Sequence, residues 1–454
     1  MAFTFRGGIS LGVPKKTAKY KIEAFTPTRV LLPCSSDISV GQKVVRGQLL
    51  CEDAGGVLWH ASLSGKISEI KEIDGASYAL IESENAEETE TSERAEEKLP
   101  AADKPLSAYS PEEILERIRL AGIFGMGGGA STYKKLADAM GKVERLIVNC
   151  AESEPYASAD HRTLLETPED VVNGAKILMR ALSLRVAYIA VEEDKYDAAE
   201  AVDRVNGQGQ LVRVRMLKTK YPQGSERLLV AAVTGKKLKR GQSPVDAGCF
   251  VINCRTCAAV FRAFAYGEVV TSTVVTVSGA VKEPKNLRVP LGTLVCDILE
   301  HCGADADAVI VGGAMMGKKL ADTAVPLIYE SSILCLEKKD RIKDGDACVR
   351  CGRCVSACPM ALMPSLLYGA CRKGKTKKAE KLKIDCCIEC GSCAYVCPAR
   401  LPIAEEIRKT KAMLKADASA EIAEELATET AESVAEQPDI GAETEKEGAE
   451  NEEA

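Results

Sequence analysis

Between Pro111 and about Gly267 the apolar residues follow two alternating periods. Ile114, Ile118 and Leu120 recur at helical spacing behind the capping residue Ser110. Leu146-Ile147-Val148-Asn149, Val186-Ala187-Tyr188-Ile189-Ala190-Val191 and Leu211-Val212-Arg213-Val214 are instead short β-rich runs separated by helical stretches. The alternation predicts an α/β layer with a largely parallel sheet, and such sheets bind nucleotides at the carboxyl ends of their strands. Val274 to Gly279 opens a smaller unit reaching about Leu320, with strands around one helix from Thr293 to Cys302. Residues 30–81 read as short strands punctuated by glycine. Glu82 to Lys104, and the chain beyond about Ala416, hold almost no large apolar residues and cannot offset the entropy of folding. They read as a linker and a tail. No stretch approaches the ~18 apolar residues of a membrane span.

A chain of 454 residues exceeds one core, so roughly three or four domains are expected. The fold class expected is multidomain α/β. Its parts are an N-terminal segment (1–29), a β-sandwich (30–81), an acidic linker (82–108), a Rossmann-like α/β domain (109–268), a small β-grasp domain (269–330), a ferredoxin-like helical domain (331–412) and a disordered acidic tail (413–454). Within the second, Val40 to Leu50 followed by His60 to Ile67 resembles the small β-sandwich of biotinyl and lipoyl carrier domains. Cys51 to Val57, at the hairpin position, lacks the modifiable lysine, which implies a structural copy with no swinging arm. His60 is expected to be a packed or exposed residue, not a ligand.

The net charge of −6 is unevenly spread. Residues 416–454 hold fourteen acidic residues against Lys446 alone, a balance of −13, leaving +7 on residues 1–415. Arg372, Lys373, Lys375, Lys377, Lys378, Lys381 and Lys383 form a basic run without interleaved aromatics, which argues against nucleic acid. A solvated helix face or a dock for an acidic electron carrier remain. The opening residues show no basic segment before an apolar run, so a cytoplasmic location is expected.

In a long chain of that location, nineteen cysteines indicate metal or redox chemistry rather than a disulfide framework. Ten lie between Cys348 and Cys397. Cys348-x2-Cys351-x2-Cys354-x3-Cys358-Pro359 and Cys387-x2-Cys390-x2-Cys393-x3-Cys397-Pro398 both match the run of bacterial two-cluster ferredoxins. In that run three thiolates hold one 4Fe-4S cubane and the fourth reaches the other. The expected ligands are Cys348, Cys351, Cys354 and Cys397 for one cluster, and Cys387, Cys390, Cys393 and Cys358 for the second. Paired structural zinc sites fit less well, because they use two pairs of ligands. Cys371 and Cys386 have no assigned role.

Upstream, Gly125-Met126-Gly127-Gly128-Gly129-Ala130-Ser131-Thr132 lies between two helical stretches, where glycines admit close backbone approach and the next helix offers free amides to an anion. Asn149-Cys150-Ala151-Glu152-Ser153-Glu154-Pro155 follows at a strand end, then Thr219-Lys220-Tyr221-Pro222-Gln223-Gly224-Ser225-Glu226, Val233-Thr234-Gly235 and Val251-Ile252-Asn253-Cys254-Arg255-Thr256. In this order they resemble the FMN-carrying, NADH-oxidising subunit of respiratory complex I. With Phe5-Arg6-Gly7-Gly8-Ile9, Gly312 to Gly317 and the paired cysteine runs, residues 3–410 resemble more closely the C subunits of Rnf electron-transport complexes.

That resemblance implies that Gly125, Gly127 and Gly128 pass under FMN, that Lys135 and Asn253 hold its phosphate, and that Asn149 and Glu152 meet its ring. Glu154 and Glu226 would face NAD(H) as catalytic residues, with Glu154 also a cofactor contact. The glycine loop departs from the family's Gly-Gly-Ala-Gly-Phe-Pro-Thr: it is one residue shorter and lacks the aromatic. The resemblance implies a peripheral subunit at the cytoplasmic face of the membrane that exchanges electrons among NAD(H), FMN and two 4Fe-4S clusters. Its partners would be the other Rnf subunits and a ferredoxin, in support of Na+ or H+ transport. Two alternatives are a soluble reductase of the cobalamin-reductase type, which the N-terminal segment opposes, and a relay without flavin.

Overall fold

The computed structural model describes residues 2–13, 15–83, 96–127, 129–207, 211–337, 345, 347–417 and 419. Gly128 and most of the acidic tail therefore lie outside the described residues.

The N-terminal segment does not stand apart. Phe3 bridges to Leu217, Ile9 pairs with Tyr221, and strand β1 (Ile22–Ala24) joins a sheet formed almost entirely by residues beyond 270. Strands β2 (Arg29–Pro33), β3 (Lys43–Val44), β6 (Gly65–Ile73) and β7 (Ala76–Glu82) belong to one sheet, and β4 (Leu49–Glu52) and β5 (Leu58–His60) form a separate hairpin. This unit is not closed on itself as residues 30–81 alone would suggest. Two short strands from far along the chain, β14 (Thr293–Leu294) and β17 (Pro326–Leu327), extend the sheet past β2.

The later part of the acidic stretch, from Glu96, is seated against the α/β domain, unlike the linker its composition implies. Leu99 and Ala102 donate backbone hydrogen bonds to Gly267 and Phe264, and Arg117 donates to the Pro100 carbonyl at 2.7 Å. The few apolar residues of this stretch are enough to seat it because Gly267, at φ +68°, lets the Leu99 carbonyl approach where a Cβ would collide.

Helix α1 (Pro111–Leu120) starts with a full capping box between Ser110 and Glu113, and α2 (Thr132–Ala139) starts at Ser131. Between and after them run β8 (Arg145–Cys150), α3 (Ala159–Glu166), α4 (Pro168–Ala181), β9 (Ala187–Glu192), α5 (Tyr196–Asn206), β10 (Val212–Leu217), α6 (Glu226–Thr234), β11 (Cys249–Asn253) and α7 (Cys254–Tyr266). The sheet order is β10-β9-β8-β11, parallel throughout. Alternate residues of β8 divide between two apolar layers: Leu146, Val148 and Cys150 on one face, Ile147 on the other. Burial on both faces explains why these strands read as continuous apolar runs. Parallel strands also bring Asn149 and Asn253 to the same sheet edge, where the two pair in register.

Strands β12 (Ser272–Gly279), β13 (Lys285–Pro290), β15 (Ala308–Val311), β16 (Lys318–Lys319) and β18 (Ser332–Leu336) join β1 in a sheet that packs on α8 (Val295–His301). β18 lies between β12 and β15, so this unit extends past the expected boundary at 330. The C-terminal unit is helical, with α9 (Arg353–Ala357), α10 (Pro364–Cys371), α11 (Thr376–Lys381), α12 (Ser392–Tyr395) and helical residues 403–417 around their own core.

His60 is buried beneath Gly122, and its Nδ1 has no partner among the described residues. Burial lowers its pKa from 6.5 to about 4. A depressed histidine supplies stability above its unfolded pKa that is lost as pH falls through the folded one. The wild type should therefore lose up to about 3 kcal/mol more than His60→Phe as pH falls from 6.5 to about 4. Urea unfolding across that window checks this, and equal slopes would acquit His60.

Candidate functional site

The carboxyl edge of the parallel sheet opens into a cavity of about 590 Å³. Gly125, Gly127, Lys135, Asn149, Glu152, Glu154, Glu226 and Asn253 all line it. Chain segments up to 128 residues apart thus converge because β8 and β11 end side by side and the starts of α2 and α6 face them. Tyr221, Asp160, Arg255, Gly312 and Met316 complete the wall, although residue order assigns none of them a role there. Tyr221, Arg255, Gly312 and Met316 do stand inside three of the ordered motifs, which is the signal that could have found them.

Each polar group has a definite attachment. Lys135 donates from Nζ to Glu226 at 2.7 Å and to the Val251 carbonyl at 3.0 Å. Asn149 donates to the Gly224 carbonyl at 2.8 Å and accepts from the Ala151 amide at 3.1 Å. Gly224 must be glycine for this approach, since a Cβ would lie 2.4 Å from the Ala151 oxygen. Asn253 caps α7 and donates to Asp160 at 2.8 Å, and Asp160 also pairs with the buried Arg255 at 2.7 Å.

The two acids after Asn149 are tied down. Glu152 accepts from the Asp160 and His161 amides at the start of α3, and Lys15 donates to its carbonyl. Burial raises the Glu152 pKa against the pull of Lys15, and burial lowers that of Lys15. Glu154 accepts from the Met315 and Met316 amides at 3.0 and 3.1 Å, so it anchors the glycine-rich loop of the following domain. Burial raises its pKa too, opposed first by the Met315 amide. Gly313 permits the contact, because a Cβ there would stand 2.6 Å from the carboxyl carbon. Tyr329 packs over Gly129 of the shortened loop, with ring carbon Cε1 3.0 Å from where a Cβ would stand.

Tyr221 connects this cavity to the cysteine runs. Its hydroxyl donates to the Cys390 carbonyl at 2.7 Å, and the Gly8 amide donates to the Ala357 carbonyl at 2.9 Å. The two runs share one backbone path. Arg350 and Glu389, Gly352 and Gly391, and Ala361 and Arg400 are left-handed at equivalent positions. The Arg350, Glu389 and Leu362 amides each approach a cysteine sulfur, Cys348, Cys387 and Cys358, at 3.4 Å. Cys387, Cys390, Cys393 and Cys358, the second set of the crossed ligand scheme, line a common cavity. Burial raises the Cys358, Cys387 and Cys393 thiols, Cys387 to about 11, and neighbouring cysteines of the set raise them further. Bound iron reverses that cost. In the other set Cys354 is buried, Cys397 half-buried, and Cys348 and Cys351 are exposed. Among the described residues no three His, Cys, Asp or Glu converge on a single ion. A cubane does not ask for that, since each thiolate binds its own iron.

Residues 118–262 match the Nuo51 FMN-binding domain, 274–319 the SLBB domain and 340–398 a 4Fe-4S dicluster domain. The C subunit of the proton-translocating ferredoxin:NAD(+) oxidoreductase complex of Clostridium ljungdahlii is 37% identical over 81% of this chain and 84% of its own. The chain belongs to that family of C subunits. Its counterpart from the Na(+)-translocating complex of Acetobacterium woodii is 33% identical over 80% of this chain and 86% of its own. The C subunit of the ion-translocating oxidoreductase complex of Rhodobacter capsulatus is 34% identical over 91% and 83%. FMN and 4Fe-4S clusters are accordingly the cofactors of this C subunit, and the donor set fits them. A lysine and two helix starts offer positive ends to a phosphate, and soft thiols under sulfur-directed amides suit iron.

Tyr221→Phe removes the one hydroxyl that satisfies the buried Cys390 carbonyl. It should cost about 1–3 kcal/mol, read as earlier urea loss of iron-sulfur absorbance; an unchanged midpoint would show that the bond holds nothing.

Proposed function

We propose that this C subunit is the NAD(H)-handling, NADH dehydrogenase-type component of an ion-translocating ferredoxin:NAD oxidoreductase of the Rnf type. The observation that carries this reading is the wall shared through Tyr221 by the 590 Å³ cavity and the Cys390 loop. FMN, when bound, exchanges a hydride with a nicotinamide and passes on electrons singly, as iron-sulfur clusters require.

The chain's own groups prepare the site for that chemistry. Lys135 places its charge near the start of α2, with Glu226 as its counter-ion; Lys135 would hold the flavin phosphate, and Glu226 would face the nicotinamide nucleotide. Gly125, Gly127 and Gly128 bring no side chains that would obstruct the approach to the flavin. Asn253 completes the phosphate end. Asn149 and Glu152 shape the ring end through the backbone they hold, and Glu154 fixes the SLBB loop as a rim beside the nucleotide. Cys348, Cys351, Cys354 and Cys397 would hold one cluster, and Cys387, Cys390, Cys393 and Cys358 the one nearer Tyr221.

Among the described residues no helix is long and apolar enough to cross a membrane. The other proteins of the complex would therefore provide the contact with the cytoplasmic face. The relatives' names support ion transport, with Na+ and H+ both represented.

Purified, reconstituted protein should retain FMN, and NADH should bleach its iron-sulfur absorbance; if dithionite does so and NADH does not, the reading fails. Lys135→Met should weaken FMN roughly 10- to 150-fold, the value of a charge-assisted hydrogen bond, by fluorescence titration. Glu226→Gln should keep FMN and slow reduction by NADH while leaving dithionite reduction intact; equal loss of both would assign Glu226 to structure alone.

A further inference from the structure

A second cavity, of about 220 Å³, lies behind the first, between α7, the end of α3, the start of β12 and β13. Four arginines line it: Arg46, Arg255, Arg262 and Arg288. Three are neutralised. Arg46 pairs with Glu96 at 3.3 Å and donates to the Thr271 hydroxyl at 2.9 Å. Arg262 pairs with Asp170 at 2.8 Å and lies 3.9 Å from Glu268. Arg255 pairs with Asp160 at 2.7 Å, and its remaining nitrogens donate to Thr273, the Val274 carbonyl and the Met126 carbonyl.

Arg288 differs. Its guanidinium makes no hydrogen bond or ion pair among the described residues, although the residue is half-buried in the cavity wall. Burial lowers its pKa, the neighbouring charge of Arg262 lowers it further, and the opposing pull of Glu268, Glu166 and Asp170 does not compensate. A half-buried guanidinium that faces a cavity without a protein partner has its donors free for an anion. Arg46, Arg255 and Arg262 each have a carboxylate within ion-pair distance, so Arg288 is the lining arginine with no such partner among the described residues. Its planar fork suits two oxygens of one phosphate or carboxylate. The volume is below that of usual pockets for larger ligands, about 300–1,000 Å³, which favours a small anion over a whole nucleotide.

We propose that this cavity is a binding site for a small multivalent oxyanion of the phosphate class, with Arg288 as its principal ligand. The site is separate from the redox cavity but shares Met126 and Arg255 with it as a partition. It does not rest on the assignment of NAD(H) to that cavity.

The full chain, loaded with flavin and clusters, is titrated with pyrophosphate by calorimetry, with and without saturating NAD+. Saturable binding at one site is expected, weakened at least tenfold by Arg288→Met, partly kept by Arg288→Lys and unaffected by NAD+. The proposal is overturned by the absence of binding or by wild-type affinity in Arg288→Met. It is equally overturned if NAD+ blocks binding, which would place the anion in the nucleotide's own site. Should Arg288→Met fail to fold, Arg288→Gln is measured in its place, and wild-type affinity there overturns the proposal.

Discussion

The hydroxyl of Tyr221 is shared between two units that have separate cores. It lines the cavity at the sheet edge and donates to the Cys390 carbonyl beside the cysteine cavity. Burial raises its pKa, so the hydroxyl stays protonated and its donor role is secure. Around that bond Ile9, Ala357 and Cys390 form a small apolar cluster with Tyr221. Gly7 lies against the Cys358 carbonyl, where any Cβ would collide at 2.6 Å. This junction, with the Arg240–Asp385 ion pair at 2.7 Å, sets the cavity at the sheet edge against the cysteine runs.

The same device recurs at the other boundary of the cavity. Glu154 reaches out of the α/β domain and caps two amides of the SLBB loop, and Gly313 makes room for it. Carboxylates that family resemblance assigns to a ligand here also spend their oxygens on backbone. The two uses are compatible, because a side chain pinned by amides presents a fixed face to whatever enters. Preorganisation of that kind is what an electron-transfer site needs, since its cofactors must hold a constant separation.

Much of this was legible from residue order. The apolar runs of the parallel sheet, the capping box at Ser110 and the paired cysteine motifs are local patterns, and local geometry enforces them: burial on both faces of a strand, satisfaction of helix-end amides, and the short reach of a cysteine side chain. The left-handed positions repeated in the two cysteine runs show the same motif producing the same backbone twice. The glycine loop and the acids near Asn149 were legible as a site only because the order of motifs resembled a family; their spacing alone could not place Lys135 against Glu226, 91 residues away.

Tertiary structure decided what local pattern could not reach. Domain limits read from composition failed where strands cross them: β1 joins β13, β14 extends the sheet of β2, and β18 enters the SLBB sheet beyond residue 330. The part of the acidic stretch from Glu96 to Lys104 is seated because Gly267 admits the Leu99 backbone, which no property of the stretch itself could reveal. Arg288 was an ordinary strand residue in the sequence, and only packing set it in a cavity wall without a partner among the described residues. Sequence by itself determined the element types and the ligating chemistry, since these depend on neighbours along the chain. The junction through Tyr221, the anchoring by Glu154 and the second cavity depend on neighbours in space, and only the folded chain supplies them.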